Sequence, residues 1–154
     1  MHLFFLSILF VIVKLACYNG VSSKEEEHMK LYKCPICGNI VEKVIDHKVP
    51  VFCCGKLMEE VVANTSDGAM EKHVPVLKLE DGKLIVEVGS VEHPMLEEHF
   101  IEFILVEAGN MVLRADLKPN EKPMAIFDLN SYHGEVTVYE YCNLHGLWKS
   151  EMTI

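Results

Sequence analysis

Six cysteines and eight histidines in 154 residues are enough for two metal sites of different softness, and their spacing divides them that way. Cys34 and Cys37 enclose two residues, and after 15 more come Cys53 and Cys54 as an adjacent pair. Four thiolates on two turns make a soft tetrahedral site that takes zinc or a single iron, although an adjacent pair is expected to distort the tetrahedron. Cys142 and His145 are spaced to reach one ion from a single turn, and His73, His93 and His99 lie upstream in strand-like sequence. One thiolate and four imidazoles converging on one ion give the second site, and two metals in so short a chain suggest electron transfer.

A histidine on a strand is more often a surface or core residue than a ligand, so His73, His93 or His99 alone carries little weight. The company of the Cys142–His145 turn shifts that balance. His2, His28, His47 and His133 have no such company and read as bystanders. Disulfides are the competing use of the thiols. Adjacent Cys53 and Cys54 do not readily bond each other, so a disulfide framework needs each paired with Cys34 or Cys37, and ligation explains the spacing better.

Bulk properties narrow the class. A chain of 154 residues, 50% hydrophobic, holds one ordinary domain and a small appendage. The net charge of -9, with no run of Lys or Arg, argues against a nucleic-acid partner.

Leu3 to Val13 is an apolar run of 11 residues, too short for a spanning helix, which takes about 20. It fits a secretory signal core, yet no Lys or Arg precedes it and Lys14 follows it directly. Cys17 offers a lipoprotein acylation site, with Lys14 where an aliphatic residue is usual. Lys24-Glu25-Glu26-Glu27-His28 ahead of Met29 is what a purine-rich ribosome-binding site spells when translated in frame. Residues 1–28 are therefore expected to be a translated leader or a signal-like segment, with a structured N-terminal helix as a third reading. The expected location is cytoplasmic, or periplasmic or membrane-anchored if the leader is made. The 126 residues from Met29 hold 12 basic and 20 acidic side chains, so the chain stays acidic on either reading.

The elements that must position the ligands fall into two parts. Residues 29–65 are dense in cysteine and too few to bury a core, so a structural metal is the natural staple. Cys34-Pro35-Ile36-Cys37-Gly38 and Cys53-Cys54-Gly55 read as tight turns that present sulfur. Asn64 to Gly68 is a polar stretch suited to a linker. Residues 66–154 alternate: Val74, Val76 and Leu79 precede Asp81-Gly82, and Leu84, Val86 and Val88 follow it, which predicts a hairpin. Further strands are expected over Phe100–Val106, Met111–Leu117, Met124–Leu129 and Val136–Tyr141, which closes the series. Six or seven short strands argue for an all-β antiparallel sandwich, with only Pro94–Phe100 offering a helical turn or two.

Glu71-Lys72-His73, His93, His99 and the Cys142-Asn143-Leu144-His145 turn together resemble the active site of superoxide reductases. The cysteine segment resembles the desulforedoxin-like module of the two-iron members, the desulfoferrodoxins, and the resemblance covers essentially all of residues 29–152. It implies a small desulforedoxin-like metal-bound module followed by an immunoglobulin-like antiparallel β-sandwich. It further implies iron at both centres: one held by Cys34, Cys37, Cys53 and Cys54, the other by His73, His93, His99 and His145 with Cys142 axial. The implied activity is one-electron reduction of superoxide to hydrogen peroxide, with electrons from a rubredoxin-like donor. On the same footing Lys72 attracts the anion and orders the protonating water, Glu71 occupies the sixth position in the oxidised state, and the protein is a homodimer. Two other functions compete: a non-catalytic iron electron carrier, and a zinc-stapled binding module.

Overall fold

The structure, a computed structural model, describes residues 28–154. The expectations for a leader, a signal or an acylated Cys17, and the bystander His2, fall on residues that lie outside the described ones. No helix among the described residues is long and apolar enough to cross a membrane.

Seven strands build the antiparallel sandwich that the alternation predicts. One sheet holds β6 (Pro75–Glu80), β7 (Lys83–Val88) and β10 (Met124–Asp128) in the order β10-β7-β6. The other holds β8 (Ile101–Ala108), β9 (Met111–Asp116), β11 (Glu135–Cys142) and β12 (Gly146–Thr153) in the order β12-β11-β8-β9. The first, second and fifth strands thus face the third, fourth, sixth and seventh, an immunoglobulin-like arrangement. The series does not close at Tyr141 as expected. β12 follows through a three-residue turn and pairs with β11 from Cys142↔Gly146 to Glu135↔Thr153, its polar residues 149–151 masking the strand in the sequence.

Turn chemistry fixes the registers. Glu80 pairs with Lys83 across Asp81 and Gly82, which have φ +48° and +75°, the left-handed pair of a type I′ hairpin. Leu84, Val86 and Val88 point inward to meet Ile104, Val106, Val136 and Val138 in the core. The other face of the four-stranded sheet is covered as well: Phe103, Leu105, Tyr139, Tyr141 and Leu147 pack against Leu31, with Met29, Ile40, Val61 and Ala63 around them. Burial on both faces explains why β8 reads as a continuous apolar run rather than an alternating one.

Among the described residues, five short strands precede the sandwich. β1 (Leu31–Lys33) pairs with β2 (Ile40–Glu42) and β5 (Glu59–Glu60), and β3 (Phe52–Cys53) with β4 (Lys56–Leu57). Lys33 Nζ donates to Tyr141 Oη at 2.7 Å, a polar contact beside the apolar interface. The polar stretch expected to be a linker begins with a clasp: Asn64 N donates to Leu147 O at 3.0 Å, and Asn64 Oδ1 accepts from Lys149 N at 2.8 Å. This residue supplies the free edge of β12 with the bonds a neighbouring strand would make.

Pro94–Phe100 is not helical. It is a turn closed by reciprocal backbone bonds between Leu96 and His99. The one helical turn among the described residues, α1 (Met70–His73), carries the Glu71-Lys72-His73 triplet.

Candidate metal centres

Cys34, Cys37, Cys53 and Cys54 place their four sulfurs within 4.8 Å of one another. All four are free thiols, so the disulfide alternative does not apply to them. Cys37 Sγ lies 3.6 Å from Cys53 Sγ, and Cys53 Sγ 3.9 Å from Cys54 Sγ. A tetrahedron with metal–sulfur bonds of about 2.3 Å has edges of about 3.8 Å, so these separations fit an ion at the centre. Cys53 pairs with Lys56 across Cys54 and Gly55, whose φ of +51° and +71° turn the chain within two residues and bring both sulfurs to one side.

Electrostatics point the same way. Cys37 N, and then Ile36 N, donate to Cys34 Sγ and hold its thiol down at about 6, burial opposing them. Cys54 is pushed up to about 12, first by its neighbour Cys37 and then by Cys53. The Cys34 thiolate forms readily while Cys53 and Cys54 resist ionisation, which is how clustered sulfurs behave until a cation shares their charge.

The second group combines His73, His93, His99, His145 and Cys142, again with ligand atoms within 4.8 Å of one another. The three upstream histidines do not lie in strands. His73 ends α1, and His93 and His99 lie in the β7–β8 connection, just ahead of β8. Going round the site, neighbouring imidazole centroids are 4.8 Å apart (His73–His93), 4.5 Å (His93–His99), 4.8 Å (His99–His145) and 4.7 Å (His145–His73). The His73–His99 diagonal is 6.3 Å. Near-equal sides and a longer diagonal make a square, and each neighbouring pair meets edge to face.

Hydrogen bonds to carbonyls fix the ring tautomers. His73 Nδ1–H donates to Ala69 O at 2.7 Å and His93 Nδ1–H to Pro94 O at 2.5 Å, which leaves each Nε2 as a lone pair. Those two Nε2 atoms face each other at 3.2 Å, and His73 Nε2 is 3.1 Å from His145 Nδ1. His99 Nε2 is buried with no partner. Lone pairs aimed at one point repel unless a cation sits between them, so this donor set fits a bound transition metal. Burial above all holds His73 and His99 below the ordinary imidazole range and takes His93 to about 4, so these three rings are neutral at pH 7. Cys142 Sγ lies 3.6 Å from His145 Nδ1, and burial pushes its thiol up.

Lys72 lines a cleft of about 400 Å³ together with Glu92, His93, Met95 and Glu121. The Glu71 side chain is exposed and outside the five-ligand group; its carbonyl accepts from Val91 N at 2.9 Å and ties α1 to the β7–β8 connection. His28, His47 and His133 lie outside both groups.

Trp148, Gly68 and Glu140 escape the sequence reading. Trp148 stacks on His73 at 5.0 Å and 20°, bracing the ring from its far side. Gly68 lies so close that a Cβ would stand 3.0 Å from Trp148 Cζ2 and 3.2 Å from both His145 Cβ and His73 Cε1. Glu140 is fully buried, neither of its oxygens has a hydrogen-bond partner, and burial raises it well above the carboxylate range. Its signal was present: Val136, Val138, Glu140 and Cys142 share the inward period of β11, and a carboxyl at such a position is out of place.

An all-β chain with a four-cysteine group at the turns between short strands, and a square of imidazoles with a thiol at one end of a sandwich, defines a protein class with two distinct candidate metal centres. Residues 65–151 match the Desulfoferrodoxin family. The desulfoferrodoxin of Syntrophotalea carbinolica is 49% identical over 125 residues, 81% of this chain and 98% of that one. A desulfoferrodoxin homologue of Archaeoglobus fulgidus is 47% identical over 80% of this chain and 98% of its own. The crystal structure of the superoxide reductase from Treponema pallidum superimposes with a TM-score of 0.65 at 27% identity, covering 80% of this chain and 98% of that one. The chain belongs to the desulfoferrodoxin family.

Proposed function

We propose that the protein is a superoxide reductase, converting superoxide, one electron and two protons into hydrogen peroxide. The observation that carries this reading is the square of four imidazole donors with the Cys142 thiol among them. His73, His93, His99, His145 and Cys142 would hold an iron, which would supply the one-electron couple. Cys142, bound as a thiolate, would add electron density to a centre otherwise held by imidazoles.

The chain's own groups do the rest. Carbonyls of Ala69 and Pro94 keep His73 and His93 in the tautomer that presents Nε2. The ammonium of Lys72, beside His93 in the cleft, attracts the anionic substrate and orders the water that delivers protons. Glu71, one residue earlier, is an exposed carboxylate that would serve as a further ligand to that metal. Electrons come from a small external redox protein of the rubredoxin kind, the four-cysteine centre also holds iron, and the protein works as a homodimer. These points rest on the family resemblance, as does the division into residues 29–65 and 66–154.

Metal analysis and a visible spectrum of purified protein, followed by pulse radiolysis of the reduced form, test the reading. Two irons per chain and a rapid superoxide-dependent absorbance change are expected. A colourless, zinc-only protein overturns it, and iron without a fast reaction with superoxide leaves a simple electron carrier.

A further inference from the structure

We propose that Asn143 is the positioning residue that locks the His99 loop onto the Cys142–His145 turn, so that ligands from two separate connections meet before a metal arrives. The proposal rests on the metal-site reading above and concerns a residue outside the donor set. The Asn143 amide spans His99: Nδ2 donates to Glu98 O at 3.0 Å, and Oδ1 accepts from Phe100 N at 3.0 Å. Its backbone N donates to Phe100 O at 3.1 Å. Both residues flanking His99 are thus tied to the residue that follows Cys142.

Sheet geometry makes the clasp necessary. The β8–β11 ladder runs in register to Tyr141↔Phe103 and then slips, pairing Cys142 with Ile101. The extra residue on β8, Glu102, bends the edge where the thiol is presented, as bulges do beside functional sites. Regular pairing ends there, and the side-chain amide of Asn143 takes over beyond it. On its other side His99 is closed off by Leu96, which donates to His99 O at 2.9 Å and accepts from His99 N at 3.1 Å.

His99 is also the upstream ligand most dependent on its backbone. His73 and His93 each have a carbonyl holding Nδ1, whereas among the described residues His99 has none, and its Nε2 is buried without a partner. Where ligand rings lack such an anchor, their direction comes from the chain that carries them. Asn143 supplies that direction. Removing its amide leaves Glu98 O and Phe100 N–H without partners and frees the loop to swing the imidazole out of the square.

The test uses the full iron-loaded chain and the variants Asn143→Ala and Asn143→Asp. Asn143→Ala is expected to release iron from the histidine–cysteine centre to a chelator about tenfold faster and to shift that centre's visible band, outer partners of ligands being worth about 10–100-fold in metal affinity. The four-cysteine spectrum stays unchanged and serves as the folding control. Asn143→Asp keeps the acceptor for Phe100 N but sets a second oxygen against Glu98 O, so its release rate falls between the other two. In metal-free protein, hydrogen exchange at the Phe100 amide speeds up in Asn143→Ala and much less in Asn143→Asp. Wild-type release and an unshifted band in Asn143→Ala overturn the proposal, as does equal loss of both centres. If wild-type protein holds no metal at the histidine–cysteine centre, the metal reading fails, whereas the contrast in Phe100 exchange still reports on the clasp.

Discussion

Lys72 sits between exposed Glu71 and buried His73, so the helical turn that delivers an imidazole also brings a lysine to the cleft that His93 lines. A charge in that place acts on the encounter with an anion more than on binding of the metal. Lys72→Ala is expected to lower the second-order rate constant with superoxide by about tenfold and to flatten its dependence on ionic strength, with both visible spectra intact. Pulse radiolysis at several salt concentrations measures this, and an unchanged salt dependence removes the steering role. The buried imidazoles add a pH dependence whose sign follows from their depressed values. His93 is neutral in the folded chain down to about 4 and titrates near 6.5 when unfolded, so between those values the unfolded state binds the extra proton. Metal-free protein is therefore expected to lose stability as pH falls from 6.5 to 4, by at most about 1.4 kcal/mol per pH unit for each such histidine. Denaturant titrations of metal-free protein at pH 7 and pH 5 check it, and equal midpoints would contradict neutral burial of His73 and His93.

Connections, more than strands, hold the ligands: α1 presents His73, the β7–β8 connection His93 and His99, and the β11–β12 turn His145, while Cys142 ends β11. Gly68, in the approach to α1, is the point where that assembly is tightest. Its need for glycine is spatial, since a methyl group there would press on His145, His73 and the Trp148 that backs His73. Gly68→Ala is expected to cost about 1–3 kcal/mol by overpacking and to shift the visible band of the histidine–cysteine centre. Thermal denaturation with absorption spectroscopy would show it, and a neutral effect on both would mean that Trp148 yields freely. The same place marks the limit of what the sequence reveals. Alternation about Asp81-Gly82 and the apolar inward positions of β7 and β11 made the sandwich legible, and ligand type and spacing made both donor groups legible. Asn64, Gly68, Asn143 and Trp148 stayed hidden because their roles depend on which connections meet in space, and a polar or small residue in a loop carries no periodic signal of its neighbours. Strand β12 was missed for a related reason: beyond Leu147 and Trp148 its burial comes and goes, so it lacks the alternation of a half-buried strand.

Across the whole molecule, the four-cysteine group sits at turns that join strands of two or three residues, and the buried hydrophobic residues of that segment are Leu31, Cys34 and Met58. Ile36, Val44, Ile45, Val49 and Phe52 are left exposed. A segment with so little core is held by docking on the four-stranded sheet, through the Leu31–Tyr141 face and the Lys33–Tyr141 hydrogen bond, and a metal on its four cysteines would add a second hold. That hydrogen bond joins the residue before Cys34 to the residue before Cys142, so the same contact offers either a mechanical strut or a route for electrons. Weakness of the local core favours the strut. Cys34→Ser is accordingly expected to abolish the four-cysteine iron spectrum, to lower the melting temperature, and to leave steady-state superoxide reduction with an external donor unchanged. Scanning calorimetry and turnover measured on the same preparation separate the two roles, because a fall in turnover at an unchanged melting temperature would assign Cys34, Cys37, Cys53 and Cys54 to a relay.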